Sequence, residues 1–194
     1  MALNRTLLAV LLALGARTLA AAPYRVTLGL FSWQDTLSVS SAATSLPLRN
    51  TTFAVAPGAA AEWAIDESLS FDAGANVLFG STDATLSPGA AAPPISYRVQ
   101  GATAIGFLAR PGLSYRLGDA GSPVTIGASL PILVKRVSYP APAGGFGVER
   151  DSLVAVGFLL ETRLTRDSMS LTPRVGFLKS LSRYFWGLEL GYAL

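Results

Sequence analysis

The chain contains no cysteine and no histidine. The first absence rules out disulfide staples and thiolate chemistry, so stability outside the cell has to come from the hydrogen-bonded backbone and its surroundings. The second removes the imidazole that activates a serine nucleophile, and it leaves only oxygen ligands for any metal. Glu149 and Asp151 alone do not make a calcium site, so no catalytic residue, metal site or cofactor is expected. Long apolar runs are missing as well. Nothing reaches the ~18 residues of a membrane-spanning helix, although 51% of the 194 residues are hydrophobic. That hydrophobicity must be spread over short segments. Charge is sparse, at 14% of residues, and the formal net charge of +3 includes Arg5 and Arg17 at the amino-terminal end. A nucleic-acid partner therefore has little electrostatic support.

Residues 1–22 read as a cleaved secretory signal peptide. Arg5 gives the positive start, Leu7 to Leu14 the apolar middle, and Ala20, Ala21 and Ala22 the small-residue cleavage region. Residues 23–194 then form one domain.

From Tyr24 onward, apolar and polar residues alternate in eight candidate strands joined in turn by long polar connections and tight turns. The first runs from Tyr24 to about Trp33, where Phe31 and Trp33 break parity and suggest a bulge or the strand's end. Long connections are expected at about Gln34 to Asn50, Ser81 to Pro94 and Ser138 to Asp151, and tight turns at Asp66 to Ser68, Gly118 to Pro123 and Thr165 to Ser168. Pro57, Pro111, Pro131 and Pro173 fall inside strands, and each should mark a bulge or a local break in the ladder.

Side-chain size decides which face looks inward. One face of every strand carries bulky Phe, Trp, Tyr, Leu and Val, and the other mostly Gly, Ala, Ser and Thr with one or two charges. A barrel of eight strands encloses a narrow bore, so the bulky faces must point outward. Outward apolar side chains on every strand require lipid, and lipid requires a closed sheet. The expected fold is thus all-β, an eight-stranded antiparallel up-and-down transmembrane β-barrel.

The last strand, YFWGLELGYAL, places Trp186, Leu188, Leu190, Tyr192 and Leu194 on its apolar face. This resembles the carboxy-terminal signature of bacterial outer-membrane barrels, with leucine where phenylalanine is usual in the last position. The turn-length alternation of the whole mature chain resembles the small eight-stranded family of the OmpA transmembrane domain and OmpX. That resemblance implies a bacterial outer-membrane location, recognition of the last strand by the barrel-assembly machinery, a monomer, and a structural or surface-interaction role through extracellular loops toward a partner the residues do not identify.

The inward faces carry Glu62, Asp72, Arg110, Arg116, Lys135, Glu161, Arg163, Arg174 and Glu189. Ions in a narrow bore are tolerated chiefly when paired, so a salt-bridge network is expected. Arg174 should lie directly across from Glu189 in the last hairpin, centred near Leu181 and Ser182. Arg116, Arg163 or both should approach Glu62 and Asp72. Arg136, Lys179 and Arg183 are candidate contacts for lipopolysaccharide phosphates at the outer rim, within a general partnership with outer-membrane lipid. Two other readings stay open: a small ion or solute channel through the network, and an exported soluble barrel that carries a hydrophobic ligand.

Overall fold

Alternation with period two becomes a closed ladder in the computed structural model, which describes residues 24–41, 44–86, 97–119, 121–140 and 150–194. The expected signal peptide lies outside the described residues, as do parts of the second and third long connections. The strands are β1 (Tyr24–Ser41), β2 (Thr44–Ala64), β3 (Leu69–Leu86), β4 (Tyr97–Arg116), β5 (Val124–Ser129), β6 (Ile132–Ser138), β7 (Arg150–Arg166), β8 (Met169–Leu178) and β9 (Phe185–Ala193). β5 and β6 keep one continuous register against β4, from Gly112↔Ser129 to Ala109↔Ile132, and against β7. They are two halves of a single stave interrupted at Leu130 and Pro131. The ring therefore has eight antiparallel staves, and it closes where β1 pairs with β9.

The faces sort as their side-chain sizes demand. Trp186, Phe158 and Phe107 stand on the outside, 45–48% exposed, while Glu189 and Arg174 are buried inside at 3% and 6%. Outward apolar residues continue up each stave until a polar one interrupts them: Thr51 on β2, Ser81 on β3, Thr103 on β4, Arg136 on β6, Ser152 on β7 and Lys179 just past β8. Below that line the exterior suits hydrocarbon. Lipid cannot satisfy open backbone groups, and the closed ring has no free edge along the band. The architecture is that of a transmembrane β-barrel, and single-chain antiparallel barrels with this exterior are proteins of the bacterial outer membrane.

Two expectations need correction. Phe31 and Trp33 mark neither a bulge nor a strand end. β1 stays in one register with β2 from Tyr24↔Ala61 to Ser41↔Thr44, and both rings point into the bore at 1% exposure. The parity is intact; it is the inner face that turns apolar there. For the same reason residues 34–41 and 44–50 are not a loop but continue the β1–β2 hairpin, and β3 runs on past Ser81 to Leu86, opposite Tyr97 of β4. Above the lipid an outward face has no need of apolar side chains, so the alternation fades while the pairing continues.

Each of Pro57, Pro111, Pro131 and Pro173 interrupts its ladder on one side without shifting the register. Pro57 faces Leu28 on β1, while the β2–β3 ladder passes from Val55↔Phe79 to Gly58↔Asn76. Pro173 faces Leu188 on β9, and the β7–β8 ladder skips from Glu161↔Arg174 to Leu164↔Leu171. Pro111 and Pro131 share the break between β5 and β6, where the Leu130 N–H donates to the Pro111 carbonyl at 2.8 Å. A strand residue in a ladder points its N–H at one neighbour only, so a proline costs one bond and leaves the opposite pairing whole. Among the described ladders the register shifts at Thr82/Ala84, close to Gly101, whose φ is +79°.

Candidate functional site

The bore is stratified. Nearest the short turns, Arg25 of β1 reaches Glu62 (2.9 Å) and Asp72 (3.3 Å), and Arg163 of β7 reaches the same two carboxylates at 2.6 and 2.8 Å. Glu62 and Asp72 sit opposite each other in the β2–β3 register; two guanidinium groups shared between them remove the repulsion. One level further in, Arg174 bridges Glu161 (2.7 Å) and Glu189 (2.9 Å), and Arg110 reaches Glu189 at 2.7 Å and Asn76 Oδ1 at 2.7 Å. Four arginines and four carboxylates make up these two levels, so the layer is neutral as a whole.

An apolar layer follows. Phe31, Trp33, Leu78, Leu108, Leu133, Leu159, Leu178 and Phe185 are buried together with Ala54, Ala56, Ala155 and Leu181. Trp33 stacks on Phe185 at 6.0 Å between centroids, and Phe31 tilts against Phe185 at 5.5 Å. Phe31 has room because Gly29 and Gly187 carry no side chain; a Cβ on either would come within 2.4 Å of its ring. Arg110 lies over the same ring, 6.0 Å from its centroid, at the boundary of the charged layer.

Beyond this plug, Lys135 of β6 spans the bore to Asp35 of β1 at 2.7 Å and approaches Asp151 at 3.6 Å. Asn50 donates to Asp35 at 3.0 Å, and the Tyr139 hydroxyl donates to Asn50 at 3.1 Å. Burial pushes the Tyr139 hydroxyl above the ordinary tyrosine pKa, so it stays protonated and keeps its donor role. Leu48, Ala84 and Leu86, packed with Leu37, Val99 and Tyr139, close the inner side of the strands that continue upward.

Of the nine inward charges read from sequence, Glu62, Asp72, Arg110, Glu161, Arg163, Arg174 and Glu189 lie in the charged layer. Lys135 lies past the plug. Arg116 is half-buried and lines a cavity of about 400 Å³ at the short-turn mouth, together with Arg25, Glu62 and Arg163. Arg174 is not directly across from Glu189: its register partner is Gly187 and that of Glu189 is Thr172, so the hairpin is centred one residue nearer β8 and the ion pair is diagonal. Arg25, Asp35, Asn76 and the pairing of Asp151 escaped sequence reasoning. Arg25 follows the inward parity of β1 and was legible; Asp35 was hidden by reading its segment as a loop.

Arg136, Lys179 and Arg183 are exposed on the outer wall at the long-connection end. Arg136 is level with Ser152 of β7, and Lys179 donates its N–H to Val156, four residues lower on that stave. Trp186, Leu188, Leu190, Tyr192 and Leu194 are all exposed on the outer face. No group of three or more Asp and Glu side chains that could hold a metal occurs among the described residues.

No protein-family model matches the chain, and no curated protein matches it in sequence. Among solved structures, Ail, the attachment invasion locus protein of Yersinia pestis, is similar over 90% of this chain and 100% of its own, at 8% identity and a TM-score of 0.48. Neisserial surface protein A is similar over 90% of this chain and 98% of its own, at 12% identity and a TM-score of 0.42. The translocator domain of the autotransporter NalP from Neisseria meningitidis aligns over 98% and 96% of the two chains at 12% identity, with a TM-score of 0.29. The barrel assignment rests on the closed ladder and outward apolar face of this chain itself.

Proposed function

We propose that this barrel works at the cell surface as an interaction protein, through the sheet that rises beyond the membrane band, and that its bore is a structural filling. The short turns then face the periplasm and the long connections the exterior. The observation that carries this reading is the unequal height of the staves. β1, β2, β3 and β4 remain paired with one another up to Ser41↔Thr44, Leu48↔Leu86 and Leu86↔Tyr97, whereas β8 and β9 stop near the polar line at Leu178 and Phe185. Half of the ring thus carries a stiff platform into the medium, with Thr36, Ser38 and Arg49 exposed on it. Shortening the β1–β2 hairpin by removing residues 36–49 tests the idea. Intact cells carrying the shortened barrel should adhere less than wild type to a panel of immobilised glycans and matrix proteins; equal adhesion across the panel would refute the platform.

A channel is the weaker reading, because the apolar layer interposes side chains with no group to replace an ion's hydration. Purified protein should be silent in planar bilayers, as should an Arg174→Ala variant. The soluble carrier is disfavoured by the exposed Phe, Trp, Leu and Val around the whole ring, and high-salt washing should leave the protein in the envelope.

Two partners belong to the same proposal. Arg136, Lys179 and Arg183 stand where the apolar band ends on the β6 to β9 side and offer N–H donors to lipopolysaccharide phosphates. A triple alanine variant should copurify with less lipopolysaccharide than wild type. The outward row from Trp186 to Leu194 is read by the assembly machinery, and Tyr192→Ala should reduce the heat-modifiable folded fraction in the envelope without preventing refolding in detergent. The barrel acts as a monomer.

A further inference from the structure

Most polar groups inside the bore find a protein partner; even Thr52 and Thr82 pair their hydroxyls at 2.8 Å. A short stretch of β4 is different. Asp72 is the register partner of Gly112, and Gly112 is the partner of Ser129, so Asp72 and Ser129 flank one residue that has no side chain. Ser129 leans into that gap: a Cβ on Gly112 would sit 2.8 Å from the Ser129 Cβ. Ser114 lies one pleat further along β4 with the same inward parity. All three residues are at least nine-tenths buried. Asp72 Oδ1 accepts from Arg163 and Arg25, but Asp72 Oδ2, Ser114 Oγ and Ser129 Oγ have no partner in the protein. Two residues to the other side of Gly112, Arg110 spends its Nη2 on Asn76 and Glu189 and leaves Nε unmatched. An acceptor, two hydroxyls and a donor therefore gather around one backbone position.

We infer that this cluster is a hydration site, at which ordered water bridges Asp72 Oδ2, Ser114 Oγ and Ser129 Oγ. Water is the ligand that suits the set, because it donates to the carboxylate oxygen while accepting from the hydroxyls and the arginine N–H, and a buried water typically makes about three such bonds. A cation would lie against Arg110, and an anion against the open oxygen of Asp72. A cavity of about 400 Å³ at the short-turn mouth lies close by, lined by Arg25, Glu62 and Arg163, and the two arginines hold Asp72 from that side. The charged layer of the bore is thereby wet from one end only, and the apolar layer beyond it stays dry.

The sign of a stability change decides the matter. A buried hydroxyl without a partner is a liability, so removing it from a dry site should raise stability or leave it unchanged; removing it from a bridging water strands the other groups that the water served. Ser114→Ala and Ser129→Ala, refolded in detergent and shown by heat-modifiable gel mobility to be folded, should each lower Tm by about 2–4 °C, taking one lost hydrogen bond in a chain of this size. A rise or no change in both would overturn the site. Crystals grown in bromide add a second readout. Water density within hydrogen-bonding distance of at least two of the three oxygens is expected, and an anomalous bromide peak there, or no density, would overturn it too.

Discussion

The charged layer and the apolar layer of the bore are made by the same alternation on the same eight staves, yet they resist change differently. In the charged layer the ions are held by partners on other staves, neighbouring for Arg174 of β8 with Glu161 of β7 and Glu189 of β9, distant for Arg163 of β7 with Glu62 of β2 and Asp72 of β3. Loss of one partner strands another buried charge. In the apolar layer nothing is paired; the ring is filled by volume, with Phe31 fitted between Gly29 and Gly187. There, error is felt as a cavity or a clash. The lower layer is held together by charge, and the middle one by volume.

The largest expected effect comes from removing a shared carboxylate. Glu189→Ala would leave Arg110 and Arg174 buried without it and should cost about 3–5 kcal/mol in urea titrations of the refolded barrel. A loss below about 1 kcal/mol would mean that solvent reaches the layer freely. Next is Phe185→Ala, which empties the centre of the plug and should cost about 3 kcal/mol or more. Combined with Phe31→Ala it should also give conductance in planar bilayers that wild type and Glu189→Ala lack. If the charge variant conducts and the plug variant does not, the assignment of seal and scaffold is reversed. A smaller effect separates the layers by overpacking. At Gly157, in the apolar layer, a Cβ would lie 2.0 Å from the Phe177 carbonyl oxygen and 2.6 Å from Leu178 Cα, both backbone atoms. Gly157→Ala should cost about 1–3 kcal/mol. At Gly191, nearer the mouth, the closest atom is the Ser170 hydroxyl at 2.5 Å, a side-chain end that can turn away, so Gly191→Ala should be milder.

The smallest effect lies outside both layers. At the β2–β3 turn the exposed Asp66 accepts the Leu69 N–H at 2.7 Å and the Ser68 N–H at 2.8 Å, which hold its carboxyl below the usual carboxylate range. A folded pKa below the unfolded one contributes stability that is present above the unfolded carboxylate pKa and is lost as pH falls through the folded value. Asp66→Ala should remove that slight acid dependence, and an NMR titration that placed Asp66 at an ordinary carboxylate pKa would dispose of it.

Orientation was legible because a strand's side-chain period is two and a narrow bore cannot hold bulky groups from every stave. Phe158, Phe107 and Trp186 could not all be inside. Wherever both conditions held, as in β3 and β9, the reading of the faces agrees with the structure. It lapsed where one condition failed. Above the membrane line the outward face of β1 becomes Thr36 and Ser38, so the contrast between faces vanishes and the segment reads as a loop, hiding Asp35. At Phe31 and Trp33 the inner face itself turned apolar, which looked like a change of parity.

The chain's own order of residues determined that it would form staves and which side of each would meet lipid, since both follow from local alternation and side-chain volume. Closure of the ring decided who meets whom across the bore. Arg25 and Arg163 both find Asp72, and Lys135 finds Asp35 across 100 residues of sequence, because stagger between staves brings distant positions to one level. Stagger is a property of the assembled ladder and has no local signature to read.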